Sequence, residues 1–515
     1  MLTGNKTEIK AFNGEERALR ANRIGILGLL FSVIAASAPL LVVAGIMPTA
    51  YGTMGIVGQP LLFVLLGVVL TLFSVGYAEM SRHVHNAGAF YAYIARGLGG
   101  TAGAGASVVA LVSYNALQCA VYGIFGFEIS GLLSEHAQVT VAWWIPAIGG
   151  VVLVGVLGLL KIDLNAKVLG VLLVIEVAMV VVFDIASIAN PSEEGVSLHA
   201  FNPATLSGAG LGTALAFCIA AFVGFEQSPV YAEETSRPKV VVARVTFLAV
   251  GFVAVFFAIS SWALSVAAGP SQIVGESQEQ GPALLFTLTQ DRLGAGFTDV
   301  LHLFYVTGMA ACLFSLHNVV ARYAFAMGRE GLLPSAFGRT NRTTGAPALG
   351  SLLQSVISLA VVVAFAVTDD KPAGDPTAPV LRLFVWMGNV GALGIMVLLA
   401  TTSAAVIVFF VRRGTARSQG WRIAASAVAG VAVAVIAVYT VKDFHVLVGT
   451  GPGSALSWIL PAVIGVSVVG GLAYGLVLRS TKPERHARIG LGNETIRTPE
   501  ARATSESSAA DHVAV

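Results

Sequence analysis

Two acids lie inside stretches that are otherwise apolar. Glu176 falls within Leu172-Leu173-Val174-Ile175-Glu176-Val177-Ala178, and Glu226 within Phe222-Val223-Gly224-Phe225-Glu226-Gln227-Ser228-Pro229. In an apolar medium such a group costs roughly 2.5 kcal/mol or more unless hydrated or paired. A desolvated carboxyl can take up and release a proton near physiological pH, which makes Glu176 a candidate for coupling. Its alternative is a permanently protonated acid, hydrogen-bonded to a neighbouring helix. Glu226 follows a glycine at the start of a helical segment, where an acid is favoured as a cap; a substrate contact is the other reading. Asp184, nearer the end of its apolar run, is expected to be hydrated. No histidines, cysteines and acids converge in the apolar runs, so a membrane-embedded enzyme is disfavoured and no metal site or cofactor is expected.

Glu226 also marks a break. From Leu211 to Phe222 the chain is apolar and small, and then glycine, acid and proline follow within a few residues. Backbone freed at membrane depth is tolerated only where protein or a wet cavity satisfies it. Paired discontinuous helices are the usual mark of a transporter site. Ala35-Ala36-Ser37-Ala38-Pro39 interrupts an earlier run in the same way. Proline belongs in the first turn of a helix, so Ser37 or Ala38 reads as the cap of a second half-helix; a kinked continuous helix is the alternative. The free N–H groups of the later half suit a carboxylate, and the carbonyl end of the span-six first half suits an ammonium. Together they form a site for a small zwitterion such as an amino acid, while a plain amine would use the carbonyl end alone. Ala36, Ser37, Ala38, Phe222, Val223, Gly224 and Phe225 are the expected substrate-binding residues, with Glu176 and Glu226 as coupling or gating groups. The two phenylalanines close over a substrate or simply pack. Tyr114, Asn115 and Gln118 form a polar stripe at helical spacing, with Tyr114 the expected contact.

The elements that must position these groups follow from composition. The chain has 515 residues, 56% hydrophobic and only 11% charged, far below the roughly one-quarter charged residues of a soluble protein. Apolar runs of membrane-crossing length recur at about 25–48, 57–80, 101–128, 141–160, 165–189, 209–235, 240–268, 296–321, 347–367, 383–411, 422–440 and 456–478. The expected fold is an all-α integral membrane protein of twelve transmembrane helices. The breaks fall in spans one and six, five apart, the pattern of an inverted repeat. Residues 25–189 and 209–411 would be the two five-span repeats, and 422–478 two accessory helices. A polar tail, 1–24, precedes them, and 480–515 reads as a disordered tail. Of the 30 lysines and arginines, 26 fall on the side carrying both tails, which places both termini in the cytoplasm of a cell-membrane protein. Residues 1–23 lack the features of a signal peptide. Three cysteines inside apolar runs make a disulfide framework unexpected. Gly97-Leu98-Gly99-Gly100-Thr101-Ala102 mimics a dinucleotide fingerprint, but a membrane span follows, so close helix packing is the better reading.

Three segments resemble the amino acid–polyamine–organocation superfamily of permeases. They are Phe222-Val223-Gly224-Phe225-Glu226 with Glu233-Glu234-Thr235-Ser236-Arg237-Pro238, then Ala87-Gly88-Ala89-Phe90-Tyr91-Ala92-Tyr93 with Gly97, and Arg322-Tyr323-Ala324-Phe325-Ala326-Met327-Gly328-Arg329-Glu330-Gly331-Leu332-Leu333-Pro334. The resemblance implies the five-plus-five fold and alternating access around spans one and six. It also implies amino acids, polyamines or related amines as substrates, coupled to protons or exchanged. One departure is Ala36-Ser37-Ala38-Pro39, where many members carry a glycine-rich sequence; Pro39 offers no N–H to a carboxylate. Another is Glu176, near a position where some members place a basic residue as a sodium substitute. The expected function is thus a permease importing an amino acid or related amine, with a transporter-like sensor as the alternative. Its partners are the small-molecule substrate, protons and the bilayer, with no nucleic acid.

Overall fold

The computed structural model describes residues 24–159, 162–208, 210–341, 343–368, 379–451 and 453–492, with backbone alone over 162–169. The tail up to residue 23 and the stretch from 493 onward lie outside the described residues. Helices dominate throughout: α1 (Ile26–Met54), α2 (Gln59–Ser81), α3 (Gly100–Ala137), α4 (Trp144–Gly158), α5 (Ile162–Ala189), α6 (Leu211–Tyr231), α7 (Pro238–Ala268), α8 (Ala295–Glu330), α9 (Ala348–Val367), α10 (Pro379–Arg412), α11 (Gly420–Lys442) and α12 (Ala455–Thr481). Eleven of them, over the described residues, are long and apolar enough to cross a membrane. The exception, α4, has 15 residues and rises only about 22 Å, against a hydrocarbon core of roughly 30 Å.

Both expected breaks are present. In α1 the first half ends at Ser37, and Ala38 takes a left-handed conformation (φ 44°, ψ 73°) before Pro39 opens the second half. Alanine is rare there, because its Cβ crowds the following carbonyl. The second half passes through a π-helical turn at Val42–Ile46, where Met47 N–H bonds back five residues to the Val42 carbonyl. Pro48 follows at once, and the wider turn relieves the clash its ring would make with a regular helix. In α6 the α-helix stops at Phe222, Val223 and Gly224 leave helical geometry, and a 3-10 segment runs from Phe225 to Tyr231.

Beyond these breaks, α1–α5 and α6–α10 share one further feature. A ten-residue helix, Ala89–Leu98, lies between α2 and α3, and another, Leu284–Leu293, lies between α7 and α8. Each ends at a glycine with positive φ, Gly99 (103°) and Gly294 (81°). These glycines open the two longest helices, α3 with 38 residues and α8 with 36.

Small residues set the close packing. A Cβ on Gly97 would strike the α10 backbone at Ala405, and Gly471 and Gly475 of α12 lie against Gly105 and Thr101 of α3. Gly97, Gly100 and Gly103 thus serve close packing, and Gly99 supplies the turn before α3, the roles helix approach needs rather than phosphate binding. Ile24 and Thr235 form a single parallel bridge, with Ile24 N–H 3.2 Å from the Glu234 carbonyl. The segment from a short helix, Pro483–Arg488, to Gly492 packs at the end of α8. Residues 24 and 492 thus share one face of the bundle, the terminal face. Disorder was expected from residue 480, but order continues at least to Gly492, because Ile489 is buried and the glycines bond to Glu330.

Candidate functional site

The two breaks touch each other. Gly224 adopts φ 130° and ψ −46°, a region glycine enters freely and other residues avoid. A Cβ there would run into the Val33 carbonyl and come within 3.2 Å of Ala36 Cβ and Ser37 N. Glycine is required at this position for both reasons. Beside this contact lies a small cavity of about 50 Å³. Ala36, Ser37 and Ala38 of α1 and Ala220 and Val223 of α6 form its centre. Its walls are apolar, from Leu41, Val42 and Ile46 of α1, Leu117, Ala120 and Val121 of α3, Phe217 of α6, Cys312 and Leu316 of α8, and Phe384 and Gly388 of α10. No charged side chain lines it.

Four of the residues singled out in the sequence therefore border the cavity: Ala36, Ser37, Ala38 and Val223. The others lie around it. Phe222 packs against Phe63 (centroids 6.2 Å apart) and Phe225 against Phe73 (6.0 Å), both on α2. Tyr114 donates to Glu226 Oε1 at 2.8 Å and stacks near Tyr323. Glu226 is fully buried; its Oε2 accepts the Gly224 N–H at 2.9 Å, and its carbonyl accepts the Tyr77 hydroxyl at 2.7 Å. The carboxylate thus binds its own break and ties it to α3, while the Glu226 carbonyl ties it to α2. Asn115 and Gln118 bond to backbone of α3 and α8 instead of facing the cavity. Asp184 is buried and accepts from Ser260 at 2.7 Å, a partner within the protein where hydration was expected.

Glu176 sits on the far side of the α1 break. The Leu40 backbone N–H points to its carboxyl, and Gly308 of α8 leaves the space the carboxyl fills, because a Cβ there would meet it. Cys312, which borders the cavity, is its electrostatic neighbour. An acid of the chain itself therefore faces the N-terminal end of the second half-helix, where unsatisfied N–H groups carry partial positive charge. Pro39 has no N–H and Leu40 is turned to Glu176, so Leu41 is the remaining amide of that first turn. On α6, the carbonyls of Ala221, Phe222 and Val223 accept no hydrogen bond among the described residues.

Toward the terminal face, two buried ion pairs join the segment after α6 to α8. Arg322 Nε lies 2.6 Å from Glu234 Oε1, with a second contact at 3.2 Å, and its guanidinium covers the Tyr231 ring. Arg329 grips Glu233 at 2.6 and 2.8 Å, and the Ala87 N–H joins that carboxylate at 3.2 Å. These residues stand out in the sequence as motif members, but nothing local reveals the pairing across about 90 residues. The cavity walls on α3, α8 and α10 were missed because, in sequence, their apolar residues look like any packed or lipid-facing position.

The fold matches that of a mutant manganese transporter from Eremococcus coleocola in its crystal structure. The TM-score is 0.53 at 13% identity, covering 92% of this chain and 98% of that one. The chain belongs to the amino acid permease family, whose model matches residues 25–469. No curated protein matches the sequence.

Proposed function

We propose that this permease imports an amino acid with an apolar side chain by alternating access around the breaks of α1 and α6, driven by protons. The observation that carries the reading is the cavity between the two breaks, apolar in its walls and bordered by helix ends. The free carbonyl end of the first half of α6 suits an ammonium, and the Leu41 N–H a carboxylate. An aliphatic side chain fits walls of leucine, valine and phenylalanine. A polyamine would bring several positive charges into a cavity without an acid, and unpaired charges there are costly.

Helices α1–α5 and α6–α10 act as the two inverted repeats, a reading supported by the paired breaks, ten-residue helices and long third members. The excess of basic residues on the terminal face supports a cytoplasmic position for both termini in the cell membrane. Glu176 is the coupling group. It touches the moving helix through Leu40 and α8 through Gly308, so gaining or losing its proton changes the charge at their junction. Glu226, bound to the break by its own backbone contact, is a gating residue. Uptake of radiolabelled amino acids and polyamines into proteoliposomes tests the substrate assignment. Leucine-like substrates should be taken up and spermidine refused; efficient uptake of spermidine would overturn it.

A further inference from the structure

A second cavity opens on the terminal face, remote from the α1 and α6 breaks. It has about 780 Å³ of space between the end of α8, the following turn, α12 and the helix Pro483–Arg488. Arg485 and Arg488 line it, three residues apart and so on one face of their helix. Both are exposed, and neither side chain has a hydrogen bond or ion pair among the described residues. The third arginine of the lining, Arg329, is neutralised by Glu233. No acid lines the cavity, so its walls carry an uncompensated double positive charge.

The arginines are held where they are. Glu330 is fully buried and accepts Gly490 N–H at 2.7 Å, Gly492 N–H at 2.9 Å and Asn86 Nδ2 at 2.6 Å. Arg96 donates to the Gly490 carbonyl at 3.1 Å, and Thr101 pairs with His486 at 3.0 Å. Gly331, with φ 88°, ends α8 and leaves room for Arg485, whose side chain would lie 3.3 Å from a Cβ there. The opposite wall is Tyr474 of α12, whose hydroxyl donates to the Leu332 carbonyl at 2.8 Å. Tyr474 precedes the helix end at Thr481 by seven residues, about 10 Å along the axis. Leu476 and Val477 beside it are more than half exposed, as lipid-facing residues are.

We propose that this cavity binds a phosphate-bearing anion between Arg485 and Arg488. Guanidinium forks match phosphate oxygens in geometry and charge. Two sources offer that group: the headgroup of an anionic lipid, reached past α12, and a soluble phosphate compound on the terminal side. Basic pockets between membrane helices at the interface suit lipid headgroups. Binding there also fastens the 483–492 segment over the ends of α3 and α8.

The test uses the full chain purified in detergent, with native mass spectrometry and thermal unfolding as readouts. The probes are phosphatidylglycerol, phosphatidylcholine and inorganic pyrophosphate. The wild type should bind phosphatidylglycerol on the order of tenfold more tightly than phosphatidylcholine and gain thermal stability from it. Arg485→Ala/Arg488→Ala should lose that preference, and Arg417→Ala, a remote exposed arginine, should keep it. Arg485→Lys/Arg488→Lys preserves charge and fold and should retain part of the preference. Pyrophosphate binding that the double alanine variant abolishes, without phosphatidylglycerol preference, identifies the soluble source. No preference for any anion in the wild type, or equal anion binding by wild type and double alanine variant, overturns the proposal.

Discussion

At the scale of single residues, Gly224 and Glu176 carry the account. A side chain at Gly224 must adopt φ 130° and intrude on the Val33 carbonyl at the same time. Gly224→Val should therefore express and insert normally, yet lose uptake at least about tenfold, a barrier change of roughly 1.4 kcal/mol. Radiotracer uptake normalised to surface expression measures this, and normal uptake would count against the site. Glu176→Gln keeps shape and hydrogen bonding but cannot titrate. It should retain substrate exchange while losing accumulation driven by a proton gradient, which counterflow and gradient-driven uptake measure separately. The importance of Gly224 was legible because glycine, acid and proline so close together cannot continue a membrane helix. The direction of Phe222 and Phe225 was not legible. It depends on the dihedral angles of Val223 and Gly224, which turn both rings onto Phe63 and Phe73 of α2.

At the scale of elements, two buried ion pairs tie the segment after α6 to α8. Both are buried, and removing one partner there leaves a charge uncompensated at about 3–5 kcal/mol. Glu233→Gln should thus weaken closure at the terminal face. Cys312, buried and bordering the cavity, is a built-in reporter. In a Cys119→Ala/Cys218→Ala background, a membrane-impermeant maleimide applied from the terminal side should label Cys312 on the order of tenfold faster once Glu233 is replaced. Unchanged labelling would mean that these pairs do not gate the path. The helices themselves were readable from hydropathy, with α1 and α6 broken where Pro39 and Gly224 indicate. The ten-residue helices before α3 and α8 were not, since ten residues with interior polar groups fall short of a membrane-crossing run. The docking of 483–492 was hidden for another reason: it depends on Glu330, far away in sequence, accepting two glycine amides.

At the scale of the whole molecule, the chain is an amino acid permease, and the proposal that it carries a zwitterion with protons rests on the cavity and on Glu176. Among the described residues no cluster of three or more histidines, cysteines or acids could hold a metal ion; the buried acid at the α1 break is Glu176, a single titratable group. The most direct measurement is accumulation of radiolabelled leucine in proteoliposomes, with the proton and sodium gradients imposed separately. An inwardly directed proton gradient should drive leucine above its equilibrium level, sodium should have no effect, and Gly224→Val should abolish the signal. Accumulation that requires sodium, or that persists unchanged in Gly224→Val, would contradict the account.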